Sequence, residues 1–284
     1  MSHAQERRAQ ARRTGESLAE GTGEAVTRGG REAGESNDAL VRAHVLGLRA
    51  ASTLACVAGC SHCCHMEVSA SYPEIAHLAE FIEQTFTSAA REAFDRRLDA
   101  QCVTLHGKTP FERLTSSTAC ALLVDGQCSA YEARPLACRG WNSADVAPCL
   151  VALEMPGAVP SVPVHRMIRD TSSALAAGVR DGARDAGLDD APLDLPHALR
   201  ATLRGGSAVT TRWLAGEMLP AVMKSKPAPE RVQGADLLWR PEESLLSAAA
   251  RPVEVVENAG ACPTSPRAHA SDAAGPQLPP ERDQ

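Results

Sequence analysis

The stretch CVAGCSHCCH, residues 56–65, places four cysteines within nine positions. Such a density of thiols has three chemical explanations: structural disulfides, a redox dithiol, or thiolate ligands gathered around a metal. The choice depends on the compartment of the chain, on its other cysteines and on the elements that flank residues 56–65, which we call the first cysteine loop.

The composition favours a cytoplasmic protein. The basic start, MSHAQERRAQARRTGESLAEG (residues 1–21), is not followed by an apolar run of the length that a signal peptide needs. No run reaches the roughly 18–20 apolar residues of a membrane span, so we expect no membrane partner. Cytoplasmic thiols stay reduced, and a cysteine cluster there binds metal or performs redox chemistry more often than it forms disulfides. The net charge of −6 also argues against a nucleic-acid partner.

Both ends of the chain have the composition of disordered tails. Residues 1–36 mix Arg, Glu, Gly, Ser and Thr with almost no large apolar side chains, so they bury too little surface to offset the entropy of ordering. A second tail is predicted at residues 226–284, which become rich in Pro, Ala and Ser from about residue 251. Cys262 lies in that tail and is not predicted to be a ligand. The sequence therefore predicts one helical domain over residues 37–225.

Within that domain the hydrophobic pattern is mainly helical, and we expect a mainly α fold. A helix over residues 88–106 carries Cys102 on its apolar face, where a free cysteine packs as a small hydrophobe. The other predicted helices are one capped by Asn37 or Asp38, one opened by the capping box Ser71-Tyr72-Pro73-Glu74, and helices at 161–187, 196–204 and 207–224, the last two separated by Gly205-Gly206.

A second group of cysteines follows about 55 residues after the first loop. Leu122 to Val124, followed by Asp125-Gly126, predicts a short strand that ends in a tight turn, and at most one short hairpin. The helices between the two groups can bring two cysteine-rich loops together at one end of a bundle. The candidate metal ligands are then Cys56, Cys60, Cys63, Cys64, Cys120, Cys128, Cys138 and Cys149.

The spacing of these cysteines bears on the choice of metal. Two residues separate Cys60 from Cys63, which lets both thiolates point at one centre. Adjacent side chains point to opposite sides of an extended segment, so Cys63 and Cys64 share a centre only if a turn brings them together. Cys120, Cys128 and Cys138 are separated by seven and nine residues, unlike the short-spaced pairs of a zinc ribbon. This scatter favours an iron–sulfur cluster, with Zn²⁺ in one or two tetrahedral sites as the alternative.

Residues near the thiolates are expected to support the centre. Four thiolates leave a net charge of −2 on Zn²⁺ or on an oxidised four-iron core, and such a centre needs nearby donors or cations. Arg134 and Arg139 flank Cys138 and are predicted to interact with the bound group. His62 and His65 are predicted to support the loop rather than to bind the metal.

The two cysteine groups resemble the YkgJ-type cysteine-cluster family, which is named for a CxxCxxCC element. CVAGCSHCC (residues 56–64) is similar to the first signature of the family, although its first gap holds three residues instead of two. CALLVDGQCSAYEARPLACR (residues 120–139) is similar to the second, with its Gly-x-Cys, Tyr-Glu-x-Arg-Pro and Cys-Arg elements. The resemblance covers about residues 55–140. It implies chelation of zinc or iron and no defined reaction, although related domains occur in flagellin lysine methylases.

The sequence identifies no catalytic site. It contains no G-x-G-x-x-G element and no P-loop, and Cys60-x-x-Cys63 lacks the βαβ context of a redox dithiol. The histidines outside the first loop are scattered over predicted helices, so none receives a catalytic role. We therefore expect a cytoplasmic metal-binding protein of unassigned reaction and partner. The alternatives are a metal-dependent redox or protein-modifying enzyme and a zinc-organised adaptor module.

Overall fold

The computed structural model describes residues 2–48, 54–56, 59–155 and 161–225. Their fold is mainly helical, which confirms the predicted class. The helices are α1 (His3–Leu18), α2 (Gly23–Leu48), α3 (Tyr72–Thr85), α4 (Ser88–Leu105), α5 (Pro110–Ser116), α6 (Leu136–Gly140), α7 (Ala147–Glu154), α8 (Arg166–Asp185), α9 (Leu195–Gly205) and α10 (Ser207–Leu214). The short strands are β1 (Ser69–Ala70), β2 (Leu123–Val124), β3 (Gln127–Cys128) and β4 (Leu193–Asp194). The predicted tail at residues 226–284, with Cys262, lies outside the described residues.

The helices that follow the first cysteine loop agree with the sequence pattern. α3 begins at the predicted capping box, in which the Ser71 backbone N–H donates to Glu74 Oε2 at 2.8 Å. The second carboxylate oxygen of Glu74 accepts from the Leu136 N–H at 2.8 Å, so the same side chain also fixes the start of α6. α4 buries its predicted apolar face, including Cys102, in the main hydrophobic core of the protein.

The structure differs from the prediction of a disordered tail over residues 1–36, because α1 (His3–Leu18) and the first part of α2 (Gly23–Leu48) lie in that range. α1 packs along α8 at two glycines of that helix: a Cβ at Gly178 would lie 2.5 Å from the Arg7 carbonyl oxygen, and one at Gly182 would lie 2.5 Å from that of Ala11. An ion pair between Arg7 and Asp181, 2.8 Å from Nη2 to Oδ1, adds to the contact. Close backbone packing thus takes the place of the large apolar side chains whose scarcity predicted disorder.

α2 also begins earlier than predicted, and this corrects the proposed helix cap. Asn37 and Asp38 lie within α2 instead of at its start. Asn37 is buried, and its Oδ1 accepts a hydrogen bond from Ser172 Oγ of α8 at 2.7 Å. Asp38 forms an ion pair with Arg139 of α6. Both polar side chains therefore join α2 to its neighbours. In the sequence alone, such residues cannot be distinguished from a helix cap.

The main core is built from α3, α4, α9 and α10, with Trp213 buried at its centre. Strand β1, which follows the first cysteine loop, pairs antiparallel with β4 in the register Ser69 with Asp194 and Ala70 with Leu193. This ladder places the start of α9 beside the end of the loop. None of the helices in the described part of the chain has the length and hydrophobicity needed to cross a bilayer.

Candidate metal centre

The first cysteine loop ends in a 3₁₀ turn over His62–His65. The Cys64 N–H donates to the Ser61 carbonyl at 2.9 Å, and the Met66 N–H donates to the Cys63 carbonyl at 3.1 Å. Because the segment turns, the adjacent side chains of Cys63 and Cys64 are close enough to interact, and this interaction together with burial raises the pKa of Cys63. The turn thus brings the two neighbouring thiols together, the condition under which they can serve one centre.

The second group of cysteines is held directly against the first loop. The Cys120 N–H donates to the Cys64 carbonyl at 2.8 Å, which joins the two segments through their backbones. Cys128 lies on the predicted hairpin, where β2 pairs with β3 and Asp125 and Gly126 take φ values of 50° and 76°. Two positive φ values in a two-residue connection are typical of a type I′ turn. Cys138 follows on α6.

Cysteines of both groups line one cavity of about 590 Å³. Seven of the eight candidate ligands contribute to its wall: Cys56, Cys60, Cys63, Cys64, Cys120, Cys128 and Cys138. Cys56 and Cys63 are exposed, the other five cysteines are half-buried, and His65 lines the cavity as well. The helices between the groups therefore bring the two loops together, as the sequence predicted.

Four of these cysteines are close enough to influence one another electrostatically. Burial raises the pKa of Cys120 to about 11, with smaller contributions from Cys128 and Cys63. Burial is also the largest cause of the raised pKa of Cys128 and of Cys138, and the neighbouring cysteines add to both shifts. In the absence of a cation these thiols are therefore neutral at physiological pH. A bound metal would supply the positive charge that favours their thiolate forms.

Cys149 lies outside the described lining of the cavity, although α7 contacts the turn His62–His65 and the Cys149 thiol interacts electrostatically with Cys56 and Cys63. The pKa of Cys149 is raised, mainly by burial and further by the nearby Cys56 and Cys63, while an interaction with Ser143 offsets part of the rise. The same serine contacts Cys56, whose Sγ accepts from the Ser143 N–H at 3.2 Å. Cys56 and Cys149 thus flank one residue at the edge of the cysteine region, and the role of Cys149 as a ligand remains a prediction.

The two arginines of the second signature have different surroundings. Arg134 lines the cavity with its guanidinium carbon 3.6 Å from the ring centroid of Tyr131, and its charge offsets part of the rise in the pKa of Cys63, Cys128 and Cys138. Arg139 also lines the cavity, but its guanidinium is engaged by Asp38 and by two backbone carbonyls. Arg134 is therefore the better placed cation for a thiolate centre.

The thiols line the cavity without converging on one point. Within the described ranges, no three His, Cys, Asp or Glu side chains form a group arranged to hold an ion. None of the nine cysteines in those ranges forms a disulfide. The number and type of donors, the common cavity and the nearby Arg134 fit a thiolate-bound metal or cluster. Binding would require the cysteine side chains to draw closer together.

A buried charged network lies beside the cysteines, and no pattern in the sequence predicted it. Arg113 of α5 pairs with Asp194, and Asp194 is hydrogen-bonded to His197 Nδ1. Burial acts to raise the pKa of Asp194, but the hydrogen bonds from His197 and Arg113 outweigh it and hold this pKa below its usual value. Arg113 and Asp194 line the cavity, and Glu67 lies 3.9 Å from Arg113. The Asp194-x-x-His197 spacing was the only local signal, because Arg113 is 81 residues away from its partner.

A helical domain with a cysteine-lined cavity is the arrangement expected of a thiolate-rich metal-binding domain. Residues 55–149 match the model of the CxxCxxCC family, whose description reads "Putative zinc- or iron-chelating domain". The matched segment contains all eight candidate ligands, and the match confirms the resemblance found in the sequence. The match supports metal chelation and does not distinguish zinc from iron. Neither the curated proteins nor the solved structures gave a match.

Proposed function

We propose that this chain is a cytoplasmic metal-binding protein whose two cysteine groups together hold an iron–sulfur cluster, with Zn²⁺ as the alternative. The observation that carries the proposal is the common cavity, to which both groups contribute cysteines. The hydrogen bond between Cys120 and Cys64 supports it, because the backbone itself keeps the two groups adjacent. A cluster would supply electron transfer or structural cross-linking of the loops.

The number of neighbouring cysteines and the volume of the cavity favour a cluster over a single zinc ion. Five cysteines, Cys63, Cys64, Cys120, Cys128 and Cys138, are close enough to influence the pKa of at least one other member of the set. That set exceeds the four ligands of a single tetrahedral zinc ion. A cavity of about 590 Å³ is also far larger than one ion requires. Both features favour a polynuclear centre and remain compatible with two zinc ions.

Anaerobic purification followed by metal analysis tests the proposal. We expect a brown protein that contains iron and acid-labile sulfide in similar amounts and absorbs in the visible range. A colourless protein with bound zinc would overturn the preference for iron while supporting the metal site. A protein without either metal, in which alkylation and mass spectrometry reveal paired sulfurs, would refute metal binding altogether.

The size of the cavity favours a metal-dependent enzyme as the second candidate. Its volume lies within the roughly 300–1,000 Å³ typical of small-molecule sites, and its wall continues past the cysteines to Arg113, Asp194 and Leu195. Ligand-observed NMR with a fragment library tests this idea on the metal-loaded protein. Fragments that lose binding in Leu195→Trp, while metal content stays unchanged, would support a substrate pocket. A library without hits in the wild-type protein would argue against one.

A further inference from the structure

Arg139 connects α2 to the turn that carries Arg134. Its side chain is only 5% exposed, and it pairs with Asp38 on α2 through Nη1. Its other donors reach the turn: Nε donates to the Arg134 carbonyl at 2.9 Å, and Nη2 donates to the Glu132 carbonyl. One guanidinium thus joins a helix on one side to two backbone carbonyls on the other.

The sequence of α2 makes room for this arrangement. A Cβ at Gly34, one helical turn before Asp38, would lie 2.9 Å from Arg139 Nη2. Glycine at this position therefore lets the guanidinium lie against the helix. The planar fork of arginine can bond the carboxylate and both carbonyls at once, which the single ammonium of lysine cannot do in the same geometry.

The turn held by Arg139 presents Arg134 to the cysteines. Tyr131–Ala133 forms a 3₁₀ turn, and Arg134 donates back to the Tyr131 carbonyl from Nη1 at 3.3 Å. The Arg134 guanidinium stacks on the Tyr131 ring, and both side chains line the cavity. Among the described residues, no carboxylate lies within ion-pair distance of Arg134. Its charge is therefore directed to the thiol region rather than neutralised by an acid.

We propose that α2 sets the position of Arg134 over the cysteines through the Asp38–Arg139 ion pair, so that Asp38 and Arg139 are positioning residues of the metal centre. The role of this arrangement rests on the proposed function, because Arg134 would offset the negative charge of the bound centre. Loss of Asp38 leaves a nearly buried guanidinium without its counter-ion, a costly state that the turn relieves by moving.

The position of Arg134 can be measured without any metal. Alkylation of Cys128 in the reduced, metal-free full-length protein is followed by mass spectrometry with iodoacetate, which is anionic, and with iodoacetamide, which is neutral. The ratio of the two rates at one pH reports the local positive charge, because the thiolate fraction and accessibility affect both reagents. We expect Arg134→Gln to lower this ratio by about threefold or more.

A double-mutant cycle then identifies the route of the effect. We expect Asp38→Asn and Arg139→Lys to lower the ratio, and Asp38→Asn to cause no further decrease in the Arg134→Gln background, because it acts through Arg134. Removal of the Asp38 carboxylate alone would raise the positive potential, so a decrease is specific to displacement of Arg134. Asp181→Asn, which breaks the Arg7 ion pair between α1 and α8, is the matched control and should leave the ratio unchanged.

Three results would overturn the proposal. One is an unchanged ratio in folded Asp38→Asn, and a second is full additivity with Arg134→Gln. The third is an equal decrease in Asp181→Asn, which would indicate general loosening of the N-terminal helices. Because the wild-type metal content is determined separately, a failure of metal binding is distinguishable from a failure of this inference.

Discussion

The surroundings of individual thiols separate the candidate ligands from the structural cysteine. Cys102 is 1% exposed on the apolar face of α4, and burial raises its pKa to about 11. Its hydrophobic position follows from helical periodicity, so the sequence alone identified it as a core residue. Cys128 faces the cavity near Arg134. That location depends on a hairpin and on a distant loop, and only the cysteine spacing indicated it.

Serine substitutions at Cys128 and Cys102 should have opposite consequences. Cys128→Ser should lose bound metal and the stabilisation that metal gives to the fold, with little change in the stability of the metal-free protein. Cys102→Ser should keep its metal and lose about 1–3 kcal/mol of stability, because it buries a hydroxyl without a partner. Metal analysis and urea denaturation with and without chelator test both. Equal metal loss in the two variants would contradict the assignment of Cys102 to the core.

At the level of elements, the sequence predicted those helices that bury large apolar side chains. α3 and α4 follow that rule: α3 begins at its predicted capping box, and α4 agrees closely with the predicted range 88–106. α1 does not follow it, because its contact with α8 depends on Gly178 and Gly182 instead of on bulky residues. A glycine in a sequence does not reveal whether it ends a helix or admits a neighbouring backbone. The N-terminal helices could therefore not be predicted from the sequence.

Alanine substitutions at three glycines test this view of the α1–α8 contact. Gly178→Ala and Gly182→Ala should each destabilise the protein by about 1–3 kcal/mol, since the new Cβ would lie 2.5 Å from a backbone carbonyl oxygen of α1. Gly15→Ala is the matched control on α1, where the nearest atom lies 4.0 Å away. It should be neutral or stabilise by up to about 1 kcal/mol through helix propensity. Chemical denaturation measures all three, and equal effects would refute close packing.

At the scale of the whole molecule, contacts between distant segments assemble the site. Glu74 of α3 fixes the start of α6, and Asp194 joins Arg113 beside the first cysteine loop. The sequence predicted the cysteines, since their clustering is a local signal. It could not predict these partners, because a single sequence carries no record of which charged residues meet across 60 to 80 positions. For the same reason, the sequence could not predict that Cys149, unlike the other seven candidate ligands, lies outside the described lining of the cavity.

The junction of α2, α3 and α6 should make the metal-free protein sensitive to acid through His77. Burial and the charges of Arg31 and Arg139 lower the pKa of His77 to about 4, from an ordinary value of 6.5. The unfolded chain therefore binds a proton that the folded protein excludes, and stability falls as the pH drops below 6.5 towards 4. We expect a loss of about 1–2 kcal/mol between pH 7 and pH 5 from this residue. Urea denaturation of the reduced, chelated protein measures it, and His77→Gln should remove most of this loss. A variant that retains the full wild-type decrease would show that other groups cause it.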